Sequence, residues 1–293
     1  MRETILLTGY FIIFLFVPIG FLWARKKRRW TRKPFGDKLL RQPGESLSEQ
    51  IKAGDDNAIL VILLPAAIPL IIAPTLYQVL SGPLAMGVPA AVGGAIAGMI
   101  AAMITCWSFQ IRWVSRFSVL NLGYLGERLV GEHLATLRAD GFHVFHDLQA
   151  DGGERKFNLD HVVVGPSGVW MIETKTRKKR DRAADTDAHK VKFDGTALHW
   201  PSFTETKSVD QAKHQIRWLA KWIEQRTGLR VEPKGIIAIP GWYVVSQAIQ
   251  PVRVLNEKML RSAIAAKQPP CLSVADIQAI ARQLELACRD VEV

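Results

Sequence analysis

Between Asn158 and Lys175 the chain has little choice of fold. Two apolar runs rich in β-branched residues flank Gly165-Pro166-Ser167-Gly168. A turn signal between such runs predicts a β-hairpin. Closed symmetrically, the turn pairs Gly165 with Gly168 and Val164 with Val169, and stepping outward brings Asp160 opposite Glu173. Directly opposed residues have Cβ atoms roughly 4.5–5.5 Å apart. Alternation then puts Glu173 and Lys175 on the face that Asp160 shares. Two carboxylates this close repel unless a proton or a cation lies between them. A divalent metal suits the place, because oxygen ligands hold it and it lowers the pKa of a bound water. Lys175 beside it could position or deprotonate that water, or stabilise developing negative charge. An exposed strand with a cross-strand salt bridge fits the same residues, so the hairpin alone leaves both readings open.

The flanking sequence predicts the rest of a domain. Helical spacing runs over 124–138, a first strand over 143–148, and the hairpin strands over 157–164 and 169–175. Residues 177–203 are polar and weakly patterned, with a small hairpin near 192–200. A helix over 208–226 opens on Ser208-x-x-Gln211, which has the form of a capping box. Strands follow at 235–240, 242–245 and 251–255, then helices over 257–267 and 277–288, the last capped by Ser273 with Asp276. This order gives an α/β fold, a mixed sheet with helices on both faces. Directly after Lys175 comes a cationic run that includes Lys178, Lys179 and Arg180, and Lys213, Arg217 and Lys221 recur every four residues. Both sets suit a phosphate backbone, which supplies the sequence-independent share of nucleic-acid affinity. A solvated loop and helix face would read the same way. Trp200 and His199 could stack on a base, although a core position is the commoner fate of a tryptophan. The three cysteines are far apart and show no metal-ligand spacing, and no P-loop or glycine-rich nucleotide motif is present.

Several of these residues occur together in one known pattern. Gly123, Gly126-Glu127, the run from Asp160-His161 to Gly168, Ile172-Glu173-Thr174-Lys175 and the helix opening Val209-Asp210-Gln211 together resemble the NERD (nuclease-related) domain. That domain is a branch of the PD-(D/E)XK nuclease superfamily, and the likeness spans roughly residues 123–222. The resemblance implies a restriction-endonuclease-like core. It also implies a nuclease that uses Mg²⁺ or Mn²⁺ and acts on DNA ahead of RNA. Carried over, it makes Asp160 and Glu173 metal ligands, with the Thr174 backbone carbonyl as a further ligand and Glu127 as the acid that can complete the site. Lys175 becomes the catalytic lysine, and Gln211 a supporting residue. The competing expectation is a non-catalytic, membrane-tethered module that binds nucleic acid or docks a partner.

The N-terminal third points to a membrane. Residues 4–24 are uncharged and apolar, about the ~20 residues that a spanning helix needs, and Arg25 to Arg29 follow them. Residues 58–111 then run without a charge, too long for one span and right for two, broken at Ser81-Gly82-Pro83. The expectation is a three-helix membrane region over 1–112, with spans at 4–24, 58–80 and 84–107. Residues 113–293 form the nuclease-like domain. Ten Lys or Arg against five acids in residues 24–57 place that loop in the cytoplasm, with the N-terminus outside and the domain inside. Gly94 and Gly98 form a small-xxx-small pattern that lets helices approach closely, within one chain or between two copies as a homodimer.

Overall fold

The computed structural model describes residues 38–82, 84, 87–151, 156–179, 187–246, 252–266 and 270–292, and over 55–71 the backbone alone. These residues divide into two compact units, 49–120 and, as the second, 38–48 with 121–292.

The first unit holds most of helix α1 (Glu45–Ser81), which stops where Ser-Gly-Pro was expected to break it, and most of α2 (Val88–Ala135); residues 45–48 and 121–135 belong to the second. Gly94 and Gly98 lie against Leu80 and Leu76, whose methyl groups an added Cβ would strike. The small-residue pattern is therefore used for packing within the chain, and the structure lends no support to a homodimer through it. Residues 88–111 of α2 carry no charge, and Ile104 and Trp107 are 63% and 65% exposed. Of the three expected spans, 4–24 lies outside the described residues and 58–80 falls within α1. Among the described residues one helix, Val88–Asp140 including the short 3₁₀ turn after α2, is long and apolar enough to cross a bilayer.

The second unit contains β1 (Lys38–Leu40), β2 (His143–Asp151), β3 (Lys156–Gly165) and β4 (Gly168–Thr174). Three short strands follow, β5 (Lys190–Phe193), β6 (Leu198–Trp200) and β7 (Phe203–Glu205), then helix α3 (Lys207–Thr227). The chain continues through β8 (Lys234–Ala238), β9 (Tyr243–Ser246), β10 (Val252–Leu255), α4 (Leu260–Ile264), α5 (Val274–Cys288) and β11 (Arg289–Glu292). The main sheet runs β10-β8-β4-β3-β2, antiparallel across β2, β3 and β4 and parallel across β4, β8 and β10. A second sheet, β7-β6-β5-β9, takes up the polar stretch that carried little pattern.

Apolar side chains fill both faces of the main sheet. On one face Val162, Met171 and Ile237 meet Val209 and Leu219 of α3 and Ile280 and Leu284 of α5. On the other, Val163, Ile172 and Ile236 meet Val130 and Leu134 of α2 and Leu260 and Ile264 of α4. The predicted capping box of Ser273 and Asp276 opens α5. The one predicted at Ser208 and Gln211 does not form. Helix α3 is N-capped by Thr206 without a side-chain bond, and Ser208 lies inside the helix and donates to Glu205.

The second unit also takes in a segment that the sequence placed in the loop 25–57, outside the expected domain 113–293. β1 pairs antiparallel with β11, and the Arg41 N–H donates to the Cys288 carbonyl. The reason is electrostatic: buried Arg41 bridges Asp147 and Asp290, which would otherwise lie close together without a cation.

Candidate active site

The hairpin has the predicted register. Its ladder runs from Gly165 opposite Gly168, through Val164 and Val169, to His161 opposite Ile172. Asp160 and Glu173 are the next step, and there the two strands change partners. The Asp160 carboxylate accepts from the Thr174 N–H at 2.7 Å, while β4 continues along β8, with Lys175 N–H donating to the Ala238 carbonyl. Both acids are buried, Glu173 at 3% exposure. Lys175 Nζ donates to Glu173 Oε1 at 2.7 Å and to Gln211 Oε1 at 3.0 Å. Gln211 Nε2 donates to Glu173 Oε1, and Gln215 Nε2 to Oε2, each at 2.7 Å. Two glutamines one turn apart on α3 thus hold the Glu173 carboxylate in place. Sequence reasoning found Gln211 and missed Gln215, although the i, i+4 repeat on a buried helix face was its signal.

Glu127 enters from α2. An added Cβ on Gly126 would collide with Thr176 Cγ2, so glycine there lets the helix come down onto the end of β4. Glu127 is buried, and its Oε2 has no partner among the described residues. It lies beyond the charge-free stretch 88–111. Burial, then the charges of Asp147 and Glu173, push its carboxyl up to about 8. Asp160 is raised well above the usual range by burial and by the charges of Glu173 and Glu127. For Lys175, burial acts to lower the pKa, but the adjacent Glu173, with Asp160, outweighs it and the amine is held above its ordinary value. Three acids and a lysine therefore share one buried place, and two of the acids favour their protonated form unless positive charge is added.

Two buried groups around the site were not foreseen. Asp147, next to His146 on β2, is fully buried and has φ +51°, the one non-glycine with positive φ among the described residues. Arg41 Nε, the Ser46 N–H and hydroxyl, and the Asn158 amide all donate to its carboxylate. Close by, His146 Nδ1 and His161 Nδ1 are 2.9 Å apart, and His161 Nε2 lies 3.2 Å from the Thr174 hydroxyl. Burial lowers both imidazoles, His146 to about 4. The pair is therefore neutral at pH 7, one ring donating to the other.

The basic residues are spread over two elements. Lys178 and Lys179 are exposed past the end of β4, and Lys179 Nζ lies 5.6 Å over the Trp242 ring. Arg180 falls outside the described residues. On α3, Lys213 is half-buried and Arg217 exposed, both away from the helix face that packs on the sheet. Trp200 is buried, stacked on Phe203 and edge-on to Trp242, so it packs the core and is not available to a base. His199 is bonded to Asp194 and Thr204.

Residues 122–240 match the family model of NERD, the nuclease-related domain. No curated protein and no solved structure matches the chain. The matched segment contains Glu127, Asp160, Glu173, Lys175, Gln211 and Gln215, and it excludes Arg41, Gly44 and Ser46.

Proposed function

We propose that this protein is a nuclease that hydrolyses phosphodiester bonds with the help of a divalent cation, with DNA ahead of RNA as substrate. The observation that carries the reading is the convergence of Glu127, Asp160, Glu173 and Lys175, with a buried Glu127 oxygen that has no partner among the described residues. A hard cation fits this donor set. It would lower the cost of bringing the carboxylates together, and the unpartnered oxygen is suited to ligate it. Among the described residues no three His, Cys, Asp or Glu side chains form a ready-made cage. The cation would be held by Asp160 and Glu173, with the Thr174 carbonyl and water, and Glu127 would have to approach on binding to complete the set. Bound there, Mg²⁺ or Mn²⁺ would supply Lewis acidity and a water of lowered pKa. Gln211 and Gln215 fix the orientation of Glu173. Lys175, held cationic, orients the attacking water and stabilises charge developing on the phosphoryl oxygens. Lys178, Lys179, Arg180, Lys213 and Arg217 would carry the backbone. The expected spans 4–24, 58–80 and 84–107 would place the enzyme at a membrane, with its N-terminus outside and the nuclease domain in the cytoplasm.

The test is cleavage of labelled plasmid and single-stranded DNA by the full chain in detergent, with Mg²⁺, Mn²⁺ or EDTA. Metal-dependent cutting is expected, and Lys175→Ala should lower it by about 10²–10³-fold, as loss of a charge-stabilising group does. Asp160→Ala should abolish it while the protein stays folded. Salt-sensitive binding without cutting under any metal would reject the enzyme and leave a membrane-tethered nucleic-acid-binding module.

A further inference from the structure

We propose that Arg41 and Ser46 are positioning residues of this site, so that the segment opening α1, outside the matched domain, is part of the nuclease. The inference rests on the nuclease reading and extends it to how the acids are held. The contact that supports it runs through Asp147. Arg41 Nε donates to Oδ2 at 2.9 Å, the Ser46 N–H at 2.8 Å and its hydroxyl at 2.6 Å, all inside the protein. The other carboxylate oxygen takes the Asn158 amide. Asn158 precedes Asp160 by two residues, and its carbonyl accepts from Gln215, which also holds Glu173. Asp147 has φ +51°, a region that aspartate enters more readily than most side chains, and its four donors hold it there. Between Arg41 and Ser46, Gly44 has φ +75°, and an added Cβ would stand 2.8 Å from Tyr124 Cδ2, so this stretch packs closely on α2 one turn before Glu127. Asp160 is thus set from a stretch of chain more than a hundred residues upstream.

The plainer role for this stretch is a strap, a strand closing on β11 that adds stability and nothing else. The two roles part at Ser46 and Asp290. Ser46 faces the site through Asp147, whereas Asp290 takes the opposite side of Arg41, with Nη1 at 3.0 Å. In the full chain, Ser46→Ala should lower kcat about tenfold, the size of one lost hydrogen bond to a charged group, with KM nearly unchanged. Ser46→Thr should restore it, and Asp290→Asn should lower the thermal midpoint and leave kcat alone. Hydrogen exchange gives a second readout that needs no activity. In Ser46→Ala the amides of 158–161 and of Thr174 should exchange faster, while those of β8 stay protected. Equal kcat in Ser46→Ala and wild type, or a uniform rise in exchange across the sheet, would reduce the segment to a strap. Were wild type itself inactive with every metal, the nuclease reading would fall, and the exchange pattern would still decide whether the segment sets the site.

Discussion

A carboxyl group buried beside two others is at rest when it carries a proton, and Glu127 is such a group. Its pKa stands near 8 in the fold against 4.5 for the ordinary group. Between those values the folded protein holds a proton that the unfolded chain has released, so stability falls as pH rises. Asp160 shifts in the same direction. The expected result is a thermal midpoint that drops from about pH 5 toward pH 8 in metal-free protein, and a flatter profile in Glu127→Gln. A profile identical in the two proteins would show that Glu127 is not the buried proton. Metal should reverse the trend, because a cation binds the ionised acids and displaces the proton. Lys175 makes the opposite case. Since Glu173 and Asp160 hold it above its ordinary pKa, it is cationic at neutral pH and better suited to stabilising negative charge than to taking a proton. In the proposed nuclease the chemistry would be divided between the residue types, acids to gather positive charge and a lysine to offset what the reaction creates.

Among the elements, the contact of α2 with the end of β4 decides whether Glu127 reaches the site. Gly126 sits at that contact with no room for a methyl group. Gly126→Ala should therefore cost about 1–3 kcal/mol by overpacking, and should lower cleavage further than the loss of folded protein explains. Denaturation midpoints set beside single-turnover rates would check it, and a variant with full activity would mean that α2 has slack there. The same elements show what could be read from sequence. Turn residues and strict alternation fix the hairpin register locally, so the neighbourhood of Asp160, Glu173 and Lys175 was legible. Ser208-x-x-Gln211 misled because a capping box is also a local pattern, whereas the strand that claims Gln211 lies 38 residues away. Arg41 and Asp147 are 106 residues apart, and neither carries a local mark of the pairing. A buried aspartate inside an apolar strand was the one available hint. The stretch 187–205 folded into a sheet of its own because its partner strand, β9, comes from beyond α3.

On the scale of the whole chain, the charge of +11 has to be assigned to tasks. Part of it lies in residues 24–57, where it suits the flank of a membrane helix and anionic lipid. Part is internal, since Arg41 is consumed by Asp147 and Asp290. Further positive charge lies on Lys178 and Lys179 after β4 and on Lys213 and Arg217 along α3. A contact made through phosphate alone has a signature that lipid binding and folding do not share. Each neutralised phosphate releases counterions, so log K falls with log salt by about 0.9 per contact on duplex DNA. Binding of a labelled duplex to Lys175→Ala, measured in detergent with EDTA to prevent cleavage, should therefore be steep in salt. Adding Lys213→Gln and Arg217→Gln should reduce the slope by up to about two and weaken binding alike for unrelated sequences. Lys178→Gln with Lys179→Gln should act in the same way. A slope unmoved by the α3 changes would remove that helix from the binding face and leave the backbone to the loop after β4. A loss of affinity for some sequences only would mean that these residues read bases, a task for which two long cations on an open helix face have no fixed geometry.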